Sequence, residues 1–161
     1  MPLCFINDHF EPFAGAKVHV SDLALHRGYG VFDYCREIGG KVPFLEDYLD
    51  RFYRSAEGLR LQVPYEREQV RQKIYYLLNG NGYKESGIKL LLTGGETEDF
   101  YQPGKPNFMI FNMPYHAPDT SFDAGVRLML FEYQRFLPEF KSINSPYEAV
   151  DKLIQKLAAN S

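Results

Sequence analysis

The sequence predicts an α+β domain in which two adjacent helices pack on an antiparallel sheet. Three observations carry this prediction. The elements read as strands, two helices, strands and a helix, an order that argues against alternating βαβ units and a parallel sheet. Two-residue turn signals join the early strands, as antiparallel neighbours allow. The chain has 161 residues, 45% of them hydrophobic, which is enough to bury one real core.

The first strands are Leu3 to Ile6 and His9 to Phe13, joined across Asn7 and Asp8. Ala16 to Val20 alternates weakly and reads as a further short strand before Ser21 and Asp22. Gly28 and Gly30 bracket Tyr29 in a segment too glycine-rich to be mid-helix. Val31 to Ile38 resumes β-branched and aromatic residues, and Gly39-Gly40 turns it into Lys41 to Phe44, the strongest hairpin signal in the chain. Leu45, Leu49, Phe52, Ala56 and Leu59 then recur at helical spacing, with Gly58 weakening the last turn. A second helix runs from about Tyr65 to Leu78, with Val70, Ile74, Leu77 and Leu78 inward, and stops at the Asn-Gly-Asn-Gly cluster of residues 79–82. Ile88 to Thr93 is apolar enough for a central strand and ends at Gly94-Gly95. Glu96 to Pro106 reads as a mobile polar loop, Asn107 to Asn112 and Val126 to Phe131 as strands, and Pro146 to Ala159 as an amphipathic helix with proline in its first turn.

Composition excludes several functions. A net charge of -3, with 18 Lys and Arg spread along the chain, leaves no basic footprint for nucleic acid. No apolar run is long enough to span a membrane, and Met1 to Phe5 has no basic segment leading an apolar one, so the expected location is cytoplasmic. Cys4 and Cys35 are too few and too far apart for a metal site or disulfide framework and are expected as buried free thiols. His9, His19, His26 and His116 are scattered, and no nucleophile elbow, phosphate-cradling loop or zinc spacing is present, so no metal site is expected.

Two cations invite chemistry. Lys141, in the segment from Leu137 to Asn144, has largely apolar neighbours and only Glu139 as a nearby acid. Desolvation lowers a lysine pKa, and a neutral amine is what a Schiff base requires; the alternative is a lysine whose stem is buried while its head reaches water. Arg51 flanks the apolar stripe of the first long helix, as a surface cation paired with Asp47 or as an anion ligand.

Gly28 to Asp33, Arg36, and Leu45 to Leu59 around Arg51, followed by Lys141-Ser-Ile-Asn144 and a helix, resemble the N-terminal part of the class IV (fold-type IV) pyridoxal-phosphate enzymes. These are the branched-chain and D-amino-acid aminotransferases and aminodeoxychorismate lyase, and the resemblance covers essentially the whole chain. It implies the N-terminal domain of the D-amino-acid-aminotransferase-like fold over residues 1–135. Residues 136–161 would be a linker that carries the lysine and begins a second domain. It further implies pyridoxal 5'-phosphate as cofactor, a homodimer, and amino-group transfer between an amino acid and a 2-oxo acid through a Schiff base on Lys141. A lyase of the aminodeoxychorismate type, or a non-catalytic domain without the cofactor, is the alternative. Lys141 would be the catalytic and cofactor-holding residue and Arg51 would bind the cofactor phosphate. Phe32, Tyr34 and Arg36, which share one strand face, would shape the substrate pocket.

The chain departs from the family's pattern at several positions. Tyr48 stands where the family commonly has His, Asp33 where it has Glu, Leu23 where it has Arg, and Ser145 where a Tyr often follows the Asn. Thr93-Gly94-Gly95 replaces a frequent Thr-Arg-Gly, which removes a cation near the substrate carboxylate and leaves Arg27, Arg36 and Arg135 as candidates to replace it. The acidic partner of the pyridine nitrogen belongs to the second domain, so the chain is expected to be part of a longer protein.

Overall fold

The structure, a computed structural model, describes residues 1–116 and 137–143. β1 (Leu3–Ile6) and β2 (His9–Pro12) form the expected hairpin, and a short helix α1 (Leu23–Arg27) precedes the long strand β3 (Gly30–Ile38). Helices α2 (Leu45–Gly58) and α3 (Arg67–Asn81) follow, then β4 (Glu85–Thr93) and β5 (Phe108–Pro114). The sheet order is β2-β1-β5-β4-β3, antiparallel throughout. The predicted strand at 126–131 and helix at 146–159 lie outside the described residues.

The helices cover one face of the sheet. Val31, Cys35, Ile88, Leu90, Leu92, Phe108 and Ile110 meet Leu49, Phe52 and Ala56 of α2 and Val70, Ile74 and Leu77 of α3 in one cluster. Each such fully buried aliphatic or aromatic side chain contributes about 1.5–3 kcal/mol. Among the described residues the other face carries a small cluster, Cys4, Ile6 and Met109 with Ala16, Leu91 and Phe111 against it. Both cysteines are free and buried, as expected.

Local chemistry explains the element ends. Asp22 caps α1 by accepting from the Ala24 N–H at 2.8 Å, and Gly28 closes that helix at φ 60. Glu66 and Gln69 form a capping box on α3, which runs into the Asn-Gly cluster and ends at Gly82, φ 61.

Two expectations are corrected. Ala16 to Val20 is not a strand: it pairs with no strand of the sheet, and Ala16 packs on the open sheet face instead. The hairpin after β3 shrinks to one bridge, Ile38 to Lys41, because Pro43 has no N–H to donate and Phe44 turns left-handed at φ 56 to enter α2. The segment at 28–30 is not mid-helix, as expected: Gly28 caps the short helix α1, which no sequence signal announces, and Gly30 opens β3.

Candidate functional site at the free edge of β3

β3 pairs with β4 along one side only, so every second residue points its N–H and C=O to the other edge. The segment around Lys141 occupies that edge. The Phe32 N–H donates to the Lys141 carbonyl at 2.9 Å, the Ile143 N–H donates to the Gly30 carbonyl at 3.0 Å, and Ser142 lies opposite Val31. The two-residue period fixes the side chains: buried Ser142 shares Val31's face toward the helices, so Lys141 and Ile143 face the open side with Phe32 and Gly30. The half-buried Lys141 carries its Nζ 5.1 Å from the centre of the Phe32 ring.

α2 holds this segment from the other side. The Lys141 N–H donates to the buried Ser55 Oγ at 3.1 Å. Phe140 lies so close to Gly58 that a Cβ there would fall 2.2 Å from its Cε1, so Gly58, the residue expected only to weaken the helix end, is a seat for the neighbour of Lys141.

Arg51 lies one turn before Ser55 on the same helix face. It does not pair with Asp47. Its Nε and one terminal nitrogen donate side-on to the two carboxylate oxygens of Asp33, at 2.7 and 2.6 Å. Asp33 is 1% exposed, and one of its oxygens also accepts the Tyr34 N–H at 2.7 Å, an edge N–H two residues beyond the one bonded to Lys141. That step is roughly 7 Å along a strand, so Asp33 and the lysine segment are tied to neighbouring positions on the same edge of β3, with the guanidinium on the helix face and the Lys141 side chain on the open face. The Asp33 carboxylate raises the pKa of Arg51, chiefly through these hydrogen bonds, so the guanidinium is charged at any working pH. Its face also stacks over Tyr48, the position where histidine is common, at 5.2 Å.

Phe32, Tyr34 and Arg36 share the open face, as expected, but only Phe32 stands beside Lys141. Tyr34 lies over Gly87, where a Cβ would meet its Oη at 1.9 Å, and burial raises its pKa. Arg36 binds Glu85 at 2.6 Å and stacks over Tyr115 at 4.2 Å, some four residues or about 13 Å along the strand from Phe32. Arg27 donates to the Phe100 carbonyl at 3.1 Å and stacks over Tyr101, while Arg135 lies outside the described residues.

Lys89 is the cation the structure adds to the open face. It stands opposite Tyr34 on β4, and its Nζ sits 5.4 Å from the Phe32 ring centre. Its only sequence signal is a lysine interrupting an otherwise apolar strand. The missing arginine at position 94 also has a steric reason. A Cβ on Gly94 would fall 2.6 Å from Tyr29 Cδ1 and 3.1 Å from Leu23 Cβ.

The match to known families decides the relationship. The family described as amino-transferase class IV matches residues 30–157, from the first residue of β3 through the lysine. The chain belongs to the class IV aminotransferases. It is 31% identical over 149 residues to a D-alanine aminotransferase of Staphylococcus epidermidis, covering 89% of this chain and 53% of that protein. It is 29% identical over 143 residues to a probable branched-chain-amino-acid aminotransferase of Rickettsia typhi, covering 88% of this chain and 49% of that one. The chain thus spans about half the length of the relatives it matches. Among solved structures it superposes on a T.th. branched-chain amino acid aminotransferase with pyridoxamine 5'-phosphate at a TM-score of 0.67 and 26% identity, over 74% of this chain and 41% of that one.

Proposed function

We propose that the full-length protein is a pyridoxal-phosphate-dependent aminotransferase that moves an amino group between an amino acid and a 2-oxo acid. The observation that carries this reading is that one edge of β3 ties both a half-buried amine beside an aromatic ring, through its backbone, and a guanidinium held by the buried Asp33 carboxylate. The class IV family supports it, as do the names of its relatives.

The residues present fit the cofactor. A guanidinium has five N–H donors and Asp33 takes two, which leaves three for the phosphate oxygens of pyridoxal 5'-phosphate. When bound, the cofactor supplies the electron sink that stabilises negative charge at the substrate α-carbon. Lys141 would hold it covalently and then carry the α-proton at Nζ, and the hydrogen bonds of its backbone to Phe32 and Ser55 fix where that nitrogen starts. Phe32 would wall the site and exclude water from Nζ. Tyr34 lines the face further out, and Arg36, already paired with Glu85, would act at the pocket's outer end.

Residues 1–135 would form the small domain and 136–161 a linker into a second domain that completes the site. The reading includes a cytoplasmic homodimer. Val20 and Leu25, 74% and 67% exposed, are apolar side chains that a second subunit would cover. The test is borohydride reduction of the full-length protein with pyridoxal 5'-phosphate, followed by peptide mapping. A pyridoxyl adduct on Lys141 is expected; its absence there sinks the reading.

A further inference from the structure

We infer that Asp33 is a positioning residue for cofactor binding: it presents Arg51 to the phosphate and ties that cation to the strand edge that holds Lys141. The inference rests on the reading of Arg51 as the phosphate ligand.

The pair is asymmetric in a way the fold alone does not need. The Asp33 carboxylate is almost fully buried at 1% side-chain exposure, while the Arg51 side chain is 38% exposed and in contact with water. A buried carboxylate is costly to desolvate, and a partly exposed arginine needs no buried partner to keep its charge. What the pair does accomplish is orientation. The side-on geometry engages Nε and one terminal nitrogen, so the other terminal nitrogen keeps its donors for a ligand. Fixing a rotamer-rich side chain before a ligand arrives lowers the cost of binding.

The second feature is the backbone bond. The oxygen that accepts from the Arg51 terminal nitrogen also accepts the Tyr34 N–H, the next edge N–H after the one bonded to Lys141. One carboxylate therefore registers the phosphate cation against the strand that registers the lysine. A negative charge so near a phosphate would oppose binding unless the guanidinium screens it, which makes the sign of the effect a sharp test.

Apparent affinities for pyridoxal 5'-phosphate and for pyridoxal are to be measured by the absorbance change on adding each to full-length wild type, R51M, R51K, D33N and D33E. R51M is expected to abolish the preference for the phosphorylated form. D33N is expected to weaken pyridoxal 5'-phosphate about tenfold or more, the loss of a charge-assisted hydrogen bond, with pyridoxal unchanged. D33E, which keeps the charge, should recover most of the preference. R51K should resemble D33N because an ammonium cannot be held side-on. If D33N does not fold, R51K and D33E decide. D33N or R51K binding pyridoxal 5'-phosphate as tightly as wild type or tighter, while R51M loses the preference, overturns the role of Asp33. R51M keeping the preference overturns the phosphate reading of Arg51, and the inference with it.

Discussion

Replacing Gly58 by alanine tests whether α2 seats the lysine segment. In a helix this change ordinarily stabilises by up to about 1 kcal/mol. Here the new Cβ would lie 2.2 Å from Phe140 Cε1 and 2.3 Å from Cζ. Ordinary carbon contacts are about 3.5–4.0 Å, so the ring must retreat by roughly 1.3 Å or more. Overpacking of this kind costs about 1–3 kcal/mol, which outweighs the helix gain and leaves about 1 kcal/mol of net destabilisation. Gly80→Ala is the control: it too lies in the last turn of a helix, but its nearest neighbour is Leu3 Cδ1 at 3.7 Å, an ordinary contact. That variant should gain about 0.5–1 kcal/mol. Thermal melts of the full-length proteins should therefore separate the two by about 2 kcal/mol, and amide exchange at Lys141 should quicken in Gly58→Ala only. A misplacement of about 1 Å at a reacting group can cost on the order of a hundredfold in rate, so trapping of the cofactor on Lys141 should slow as well. Gly58→Ala matching Gly80→Ala in stability, with unchanged exchange at Lys141, would refute the seating of Phe140 on α2.

Other outcomes follow from the same geometry. Ser55→Ala removes the acceptor of the Lys141 N–H and should cost about 1 kcal/mol, with faster exchange confined to residues 140–143 by mass spectrometry; uniform loss of protection would contradict a local role. Asp22→Ala strips the α1 cap and leaves the Thr93 hydroxyl and Asn107 amide without the carboxylate they donate to at 2.6 and 2.7 Å, for an expected loss of about 2–4 kcal/mol in urea unfolding. A loss below about 1 kcal/mol would show that these groups find other partners. Burial raises Cys35 from 9.0 and Tyr53 from 10.0, each to about 12. Both are neutral when protonated, so the folded state holds these protons more tightly than the unfolded chain. Their contribution is complete below pH 9 and is lost as pH climbs toward about 12, which urea melts across that window should show. A Cys35→Ser, Tyr53→Phe double variant should flatten the alkaline decline, and an unchanged decline would assign it to other groups.

Local pattern was enough for the α+β class, the register of the helical stripe on α2 and the alternation of β3. A side chain's face follows from such periodicities wherever the element forms. The family was legible in the same way, since Arg51 and Lys141 stand in order in a recognisable pattern. Whether a segment with strand character finds a partner was settled only in three dimensions. Ala16 to Val20 has strand-like alternation but packs on the open face of the sheet, and Lys41 to Phe44 follows a strong turn signal but runs into a proline. The contacts of each cation were decided there too. Arg51 took Asp33, 18 residues away, rather than Asp47 on its own helix, because the sheet brings a buried carboxylate against α2. Arg36 went to Glu85, and Lys89 came beside Phe32 through the pairing of β3 with β4. Such pairings depend on which strands lie side by side, a long-range choice that no local pattern encodes. The sequence therefore marked the lysine and the arginine, and the edge of β3 is where the fold ties one by its backbone and the other through Asp33.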